Sequence, residues 1–473
     1  MNSQVLWVTC GFLTLHLGLA AVLPLISDET YYALWSSALD WDYYDHPPMI
    51  AVMIRAGAEV FGYSAFGIRV VAMLAMALTS MLVAAIVGLM AGDEVAGARA
   101  ALYFNVGFLA LGVGSFASPD VPSTLFWALA TWAALKAIES DGASRRVLGW
   151  WGLAGLACGL GVMSKFTNLF LTVGFFGWLI LTRQGRQNLL RPGPWLAVLS
   201  VVLVVTPLIV WNISHHWLGF ERQFSRITAT GLTFDTFAQY IGILALVPTP
   251  LIGFLALLGV VRWRGRGRAL VLWSVAPLLV YFAVHALHGA VEVNWPMPAT
   301  VAMAVLAALA APLVGQGWQR AAGISGAILS FGVMAILFNP WRPLNAVDTP
   351  SNQIRGWPDT LAQVAAAARD AQVAWIATRD YGLTGRLWLS MPDLAVFSVT
   401  EPQRWGFRGD FPAALCALPG LLLENASDDP ALAAQEFGTA GPATEVTRQF
   451  AGVTLRTYRL RAVNHVLDKE LCP

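Results

Sequence analysis

The chain has 473 residues, 57% of them hydrophobic and 12% charged, with a formal net charge of +1. Soluble domains carry about 25% charged residues, so this composition suits lipid rather than water, and the near-zero net charge supplies no field to draw in nucleic acid. The 20 Trp residues fit the same class, because indole collects at the water–lipid boundary.

In chain order, segment 5–26 is apolar and long enough to span a bilayer. With no basic side chain in Met1–Gln4 and no small-x-small site before Asp28, it reads as a first transmembrane helix rather than a cleaved leader. Residues 27–66 form the first loop. Within it, 48–62 is short, carries Arg55 and Glu59, and reads as an amphipathic helix at the interface. Further spans are expected at 67–91, 97–115, 121–138, 147–163, 167–182, 195–212, 237–260, 270–287, 297–314 and 321–338, which makes eleven candidates. No internal repeat or inverted symmetry is visible.

Numbering the connecting loops alternately puts twelve basic residues on one side: Arg99, Lys136, Arg145, Arg146, Arg183, Arg186, Arg191, Arg262, Arg264, Arg266, Arg268 and Arg320. The other side, up to residue 340, holds five: Arg55, Arg69, Lys165, Arg222 and Arg226. The richer side is expected to be cytoplasmic. The N-terminus then faces the cytosol and the tail faces away from it.

At Asn339-Pro340 the character changes. Residues 341–473 hold 12 of the 29 Lys and Arg residues and no spanning run. They read as a small periplasmic α/β domain, with a helix at 358–370 and strands at Val373–Ala377, Ala395–Val399, Gly420–Leu423 and Val453–Tyr458. The expected organisation is a membrane domain over 1–340 followed by this soluble domain over 341–473. Cys10 and Cys158 lie in apolar segments and read as small buried thiols. Cys416 and Cys472 lie in the tail, where an oxidising compartment would let them pair.

The polar residues that composition does not explain all fall in loops of the basic-poor side. They are Asp28-Glu29-Thr30, Tyr43-Tyr44-Asp45-His46-Pro47-Pro48, Ser118-Pro119-Asp120, Ser164-Lys165, His215-His216 and Glu292-Val293-Asn294. Each has an ordinary structural reading. Asp28-Glu29 is a solvated helix end, Asp120 an N-cap with Pro122 in the first turn, Lys165 a snorkelling cation, and the histidines interfacial. Together they read differently, because ionisable groups at membrane depth are costly and usually serve function. Carboxylates supply a general base, cations hold a phosphate, and carboxylate with histidine is a ligand set for a divalent metal.

These blocks, in this order, resemble the polyprenyl-phosphate-sugar-dependent glycosyltransferases of the protein O-mannosyltransferase superfamily (glycosyltransferase family 39 and bacterial relatives, including lipid A aminoarabinose transferases). The resemblance runs over most of residues 20–340. Besides the blocks above it uses Phe66-Gly67-Ile68-Arg69, Gly161-Val162-Met163-Ser164-Lys165, Trp211-Asn212 and Asn294-Trp295-Pro296. It implies a polytopic GT-C fold in a bacterial inner membrane, with the loops bearing Asp28, Asp45, Asp120 and Lys165 converging in one wet cavity on the periplasmic side. By that resemblance Asp28 takes the acceptor's proton, Glu29 orients it, and Asp120 is a second active-site acid. Lys165, His46, Arg69 and Tyr44 bind the donor phosphate. Asp45, with His215 and His216, is a candidate metal site; the aminoarabinose branch has glutamate and lysine where this chain has Asp45 and His46.

The reaction so implied moves a pentosyl or hexosyl group from a polyprenyl-phosphate sugar to a lipid A, envelope glycan or other glycolipid acceptor, with inversion. No nucleotide cofactor is expected, because no phosphate-cradling glycine loop occurs on the cytoplasmic side. A protein O-mannosyltransferase is the alternative within the class. A lipid-linked sugar flippase or a structural assembly protein are alternatives outside it; a flippase would need its ionisable residues deep inside helices rather than at one set of ends.

Overall fold

The computed structural model describes the chain except residues 1–2, 141–143, 225–230, 340, 344–350, 410, 468–471 and 473. Arg226, from the charge tally, and Pro340, at the expected domain boundary, lie outside the described residues. Six helices are individually long and apolar enough to cross a bilayer: Ser3–Val22, Ala65–Ala91, Asp120–Glu139, Pro192–Ser214, Arg268–His285 and Gln316–Leu337. Three bent pairs bring the number to as many as nine among the described residues, by length and composition. The expected spans 147–163 and 297–314 fall on Arg145–Val162 and on Ala299–Leu313, an apolar helix of shorter length.

Two expected straight spans are bent. Over 237–260, helices Phe234–Leu246 and Pro250–Arg262 meet at 93°. Pro248 and Pro250 lack the amide hydrogens that a continuous helix would use, and Thr249 between them takes φ 71°. Over 97–115, Glu94–Asn105 and Phe108–Ser115 meet at 67° around Val106-Gly107.

The chain packs as two units. The first comprises Met1–Ala21, Asp45–Met53 and Arg69–Val333. In it Arg145–Val162 lies against both Asp120–Glu139 and Pro192–Ser214. The approach is close enough that a Cβ on Gly155 would sit 2.1 Å from the Ala197 carbonyl oxygen. Small residues allow this kind of contact where lipid gives helices no hydrophobic drive to associate.

The second unit comprises Val22–Tyr44, Ile54–Ile68 and Met334–Pro473. Its sheet has six strands: β1 Trp375–Thr378, β2 Ala395–Ser398, β3 Pro419–Asn425, β4 Phe437–Ala440, β5 Thr444–Phe450 and β6 Val453–Val466. Their order is β2-β1-β3-β6-β4, with β5 also paired to β6. β1 runs parallel to β2 and β3, and β6 is antiparallel to β3, β4 and β5. The two-residue turn joining β5 to β6, Ala451-Gly452, has positive φ at both positions, the hairpin geometry that matches strand twist.

Alternation along the strands fills two cores. Ile376, Val396, Leu421 and Leu460 pack with helix Trp357–Asp370 on one side, while Trp375, Phe397, Leu422 and Phe437 pack on the other. Cys416 and Cys472 form a disulfide, with Cα atoms 6.0 Å apart. Fully buried Glu424 on β3 draws in three guanidinium groups: Arg461 at 2.9 Å, Arg459 at 3.2 Å and Arg379 at 3.3 Å.

Candidate active site

In the first unit, Asp120 opens helix Asp120–Glu139, where an acid complements the positive helix end. The N-cap position belongs to Pro119, so the expectation that Asp120 caps the helix is corrected. Its carboxylate is turned elsewhere: Oδ1 accepts from Lys165 Nζ at 2.7 Å and Oδ2 from Asn294 Nδ2 at 2.8 Å. Both members of the ion pair are almost completely buried, so Lys165 is not the snorkelling cation of its ordinary reading.

Lys165 sits in the break between helix Arg145–Val162 and the turn Phe166–Asn168. A Cβ on Gly161, one turn earlier, would meet the Asn168 side chain at 2.6 Å, so the glycine lets this break fold tightly.

Lys165 and His46 line a cavity of about 240 Å³. Phe166, Phe170, Tyr281, Phe282 and Trp295 make much of its wall, with His285 and Gln223 as further polar groups. Phe170 and Tyr281 pack with ring centroids 4.6 Å apart, and Trp295 lies 5.5 Å from the His285 ring. The cavity is thus a cationic spot in an aromatic and aliphatic wall. The Gln223 side chain also donates to the Asp45 carbonyl at 2.6 Å. Asp45 pairs with Arg222 at 3.5 Å.

Arg69 is fully buried, donates weakly to the Ala20 carbonyl at 3.4 Å, and lies over the Phe116 ring. It is not among the residues that line this cavity. His215 is exposed, stacked on Trp211, with Nδ1 2.9 Å from the Trp211 carbonyl oxygen. His216 and Trp217 both take left-handed backbone, φ 54° and 63°, an arrangement that costs energy in residues with a Cβ.

Among the described residues, no three His, Cys, Asp or Glu side chains gather closely enough to hold a metal ion. Asp45 faces a guanidinium instead, so the residues present do not fit the metal reading of Asp45, His215 and His216.

In the second unit, Asp28 and Glu29 lie in the first turn of helix Ser27–Ser37. Glu29 is fully buried, and its Oε2 accepts from the Ile26 amide at 3.1 Å, closing the helix start on itself. Half-buried Asp28 accepts at Oδ1 from the Tyr381 hydroxyl at 2.8 Å. Helix Tyr381–Ser390 crosses Ser27–Ser37 with backbones nearly touching: a Cβ on Gly385 would lie 2.6 Å from the Thr30 carbonyl, and one on Gly382 2.5 Å from the Ser27 Cβ. Thr30 Oγ1 donates to the Gly382 carbonyl at 3.1 Å and Arg386 donates to the Leu25 carbonyl at 2.7 Å.

Buried Arg404 donates to the Tyr31 hydroxyl at 3.3 Å, and its guanidinium lies over the rings of Tyr31, Tyr44 and Tyr381, 4.9–5.4 Å from their centroids. Tyr44, expected at a phosphate, here packs under this arginine. Tyr43 stacks on Trp35 at 4.4 Å, and burial pushes its phenol above the ordinary value.

Asp380 is an ordinary turn residue, capping the helix through the Leu383 amide at 2.8 Å, and Arg379 turns to Glu424. Tyr381 reaches a residue 353 positions earlier, for which the turn carries no signal. Arg404 was missed altogether.

Comparison with known proteins supplies the context. A family profile described as dolichyl-phosphate-mannose-protein mannosyltransferase matches residues 45–211. The chain is 30% identical over 337 residues to the undecaprenyl phosphate-alpha-4-amino-4-deoxy-L-arabinose arabinosyl transferase of Pseudomonas aeruginosa, a match covering 63% of this chain and 58% of that protein's length. It is 27% identical over 384 residues to the lipid A galacturonosyltransferase RgtD of Rhizobium johnstonii, covering 77% of each. Among solved structures, ArnT from Cupriavidus metallidurans bound to undecaprenyl phosphate matches with a TM-score of 0.69 at 14% identity over 97% of both chains. The archaeal oligosaccharyltransferase AglB from Archaeoglobus fulgidus matches at 0.53 and 12% identity, over 94% of this chain and 74% of that one. The fold is GT-C, as expected, on a polytopic helical membrane protein.

Proposed function

We propose, starting from this chain's membership of the dolichyl-phosphate-mannose-protein mannosyltransferase superfamily, that it is an integral-membrane glycosyltransferase. It takes a pentosyl or hexosyl group from a polyprenyl-phosphate sugar and gives it to a hydroxyl of lipid A or another envelope glycolipid or glycan. The donor class and acceptor class follow those in the names of the arabinosyl and galacturonosyl transferases to which it is similar. The observation that carries the reading is Lys165: a buried ammonium, fixed by Asp120, on a cavity otherwise walled largely by aromatic and aliphatic side chains. A prenyl phosphate has this character, an anion on an apolar chain, and charge-assisted hydrogen bonds are the strong way to hold its oxygens.

The displacement requires little covalent chemistry of the protein. The acceptor oxygen bonds to the anomeric carbon as the bond from that carbon to the phosphate oxygen breaks, with inversion. The electron pair leaves on polyprenyl phosphate, already a good leaving group. Lys165 and His46 stabilise the charge that grows on that phosphate. Asp28 takes the acceptor's proton; Glu29 fixes the helix turn that carries it, and Tyr381 orients its carboxylate through Oδ1. Asp120 keeps Lys165 and Asn294 in place. The active site belongs on the periplasmic side of a bacterial inner membrane. The basic-residue bias supports that side, and so does the Cys416–Cys472 disulfide, a bond that oxidising compartments favour.

The test is donor binding and transfer measured separately on the purified full chain with a labelled polyprenyl-phosphate sugar. Asp28→Asn is expected to bind donor and fail to transfer; Lys165→Met is expected to lose donor binding. Retained transfer in Asp28→Asn would remove the proposed base, and undiminished donor binding in Lys165→Met would remove the phosphate site.

A further inference from the structure

The first unit carries a second, larger concavity that the transfer reaction does not use. It holds about 900 Å³ and is formed by the N-terminal parts of helices Ser3–Val22, Glu94–Asn105 and Gln316–Leu337. All three helices start at the same end, the side that the basic-residue bias assigns to the cytosol.

Two guanidinium groups line it, Arg99 and Arg320, the first half-buried and the second exposed; among the described residues no carboxylate does. Asp93 and Glu94 line a separate depression instead. Deeper along the helices the wall becomes apolar, with Trp7, Phe12, Leu102 and Ile324. Ser3–Val22 and Gln316–Leu337 are also among the least buried spans, at 22% and 28%. Trp7 and Ile324 are 79% and 60% exposed, so the groove opens sideways onto what would be acyl chains.

Cations at headgroup depth above an apolar wall match one class of molecule, an anionic lipid. The three helix N-termini at the same end add partial positive charge. We infer that this groove is a binding site for an anionic glycerophospholipid of the cytoplasmic leaflet. The phosphate sits between Arg99 and Arg320, and acyl chain lies along Trp7, Phe12, Leu102 and Ile324. Nothing in this assignment depends on the proposed transfer reaction.

The experiment is native mass spectrometry of the purified full chain titrated with phosphatidylglycerol or phosphatidylethanolamine. The wild type is expected to retain phosphatidylglycerol preferentially. The Arg99→Gln/Arg320→Gln double variant is expected to bind it roughly twentyfold more weakly, about fivefold for each basic group lost. The Arg262→Gln/Arg264→Gln control, with equal charge loss elsewhere on the same side, is expected to bind as the wild type does. Ile324→Trp, which fills the groove from an exposed position, tests the acyl wall independently and carries the test should the arginine variant fail to fold; it is expected to weaken retention too. Equal retention of both lipids, or undiminished binding in Ile324→Trp or in a folded arginine double variant, overturns the proposal. So does displacement of the lipid by water-soluble glycerol phosphate, which would mark a headgroup-only anion site, or by polyprenyl phosphate in preference.

Discussion

Asp120 in the first unit and Asp28 in the second are both acids at the start of a helix, yet their surroundings differ. Asp120 is 2% exposed, and each of its oxygens accepts from a fixed side-chain donor, one of them a buried ammonium. Asp28 is half-buried, and Oδ1 accepts from a neutral hydroxyl. The first acid is held by a buried cation; the second has among its partners a neutral hydroxyl from helix Tyr381–Ser390. Two acids at helix starts therefore differ less in sequence than in what the fold puts beside them.

The largest effect should come from Asp28→Asn, which removes the proposed proton acceptor but leaves the helix start intact. Turnover is expected to fall by about 10²–10⁴-fold, with donor affinity unchanged, in a transfer assay on the purified chain. Similar losses of turnover and donor affinity would mean that Asp28 belongs with the holding acids.

Lys165→Met should act mainly on the other side of the comparison. It strands a buried carboxylate, for which ~3–5 kcal/mol of lost stability is the expected scale. Thermal unfolding in detergent would show this, and Asp120→Leu on top of Lys165→Met should recover part of it. A double variant no more stable than the single would mean that the ion pair is not what burial made costly.

Separating the disulfide with Cys416→Ser/Cys472→Ser should cost ~2–4 kcal/mol in the second unit, read as faster proteolysis of the C-terminal region, with transfer activity retained below the unfolding temperature. Tyr381→Phe deletes one hydrogen bond to a charged group, worth ~1.5–3 kcal/mol. If Tyr381 orients the base, kcat should fall about tenfold or more with little change in KM. A purely structural tyrosine would lower the unfolding temperature and leave kcat alone. Arg222→Gln breaks a partly exposed pair with Asp45, and the change in stability should not exceed ~1 kcal/mol.

Much of the membrane architecture was legible because apolar runs of about 20 residues have few alternatives. Spans with prolines or glycine at their midpoints were not legible as bends: 237–260 is apolar throughout, and hydropathy does not register the lost amide hydrogens of Pro248 and Pro250. Strands β1 and β2 were legible from short β-branched and aromatic runs, and β3 from the leucine run Leu421–Leu423. β4 and β5 were not, because Phe437–Ala440 is short and exposed beyond Phe437, and Thr444–Phe450 is mostly polar. The blocks around Asp28, His46, Asp120 and Lys165 could be read as a group because the sequence puts them all in loops of the basic-poor side. Their partners could not. Tyr381 and Arg404 lie in an ordinary α/β sequence, and what brings Tyr381 to Asp28 is the close crossing permitted by Gly382 and Gly385. Arg69 is fully buried, over the Phe116 ring and 3.4 Å from the Ala20 carbonyl, surroundings that its place in the sequence does not announce.

The most direct test compares envelope lipids by mass spectrometry from cells lacking this chain, complemented with wild type or with Asp28→Asn. A pentose- or hexose-class mass increment on lipid A or another envelope glycolipid or glycan is expected with the wild type and not with the variant, at equal membrane abundance. Absence of any sugar difference between wild type and deletion, or full restoration by Asp28→Asn, would contradict the assignment of this chain as a transferase that uses Asp28 as its base.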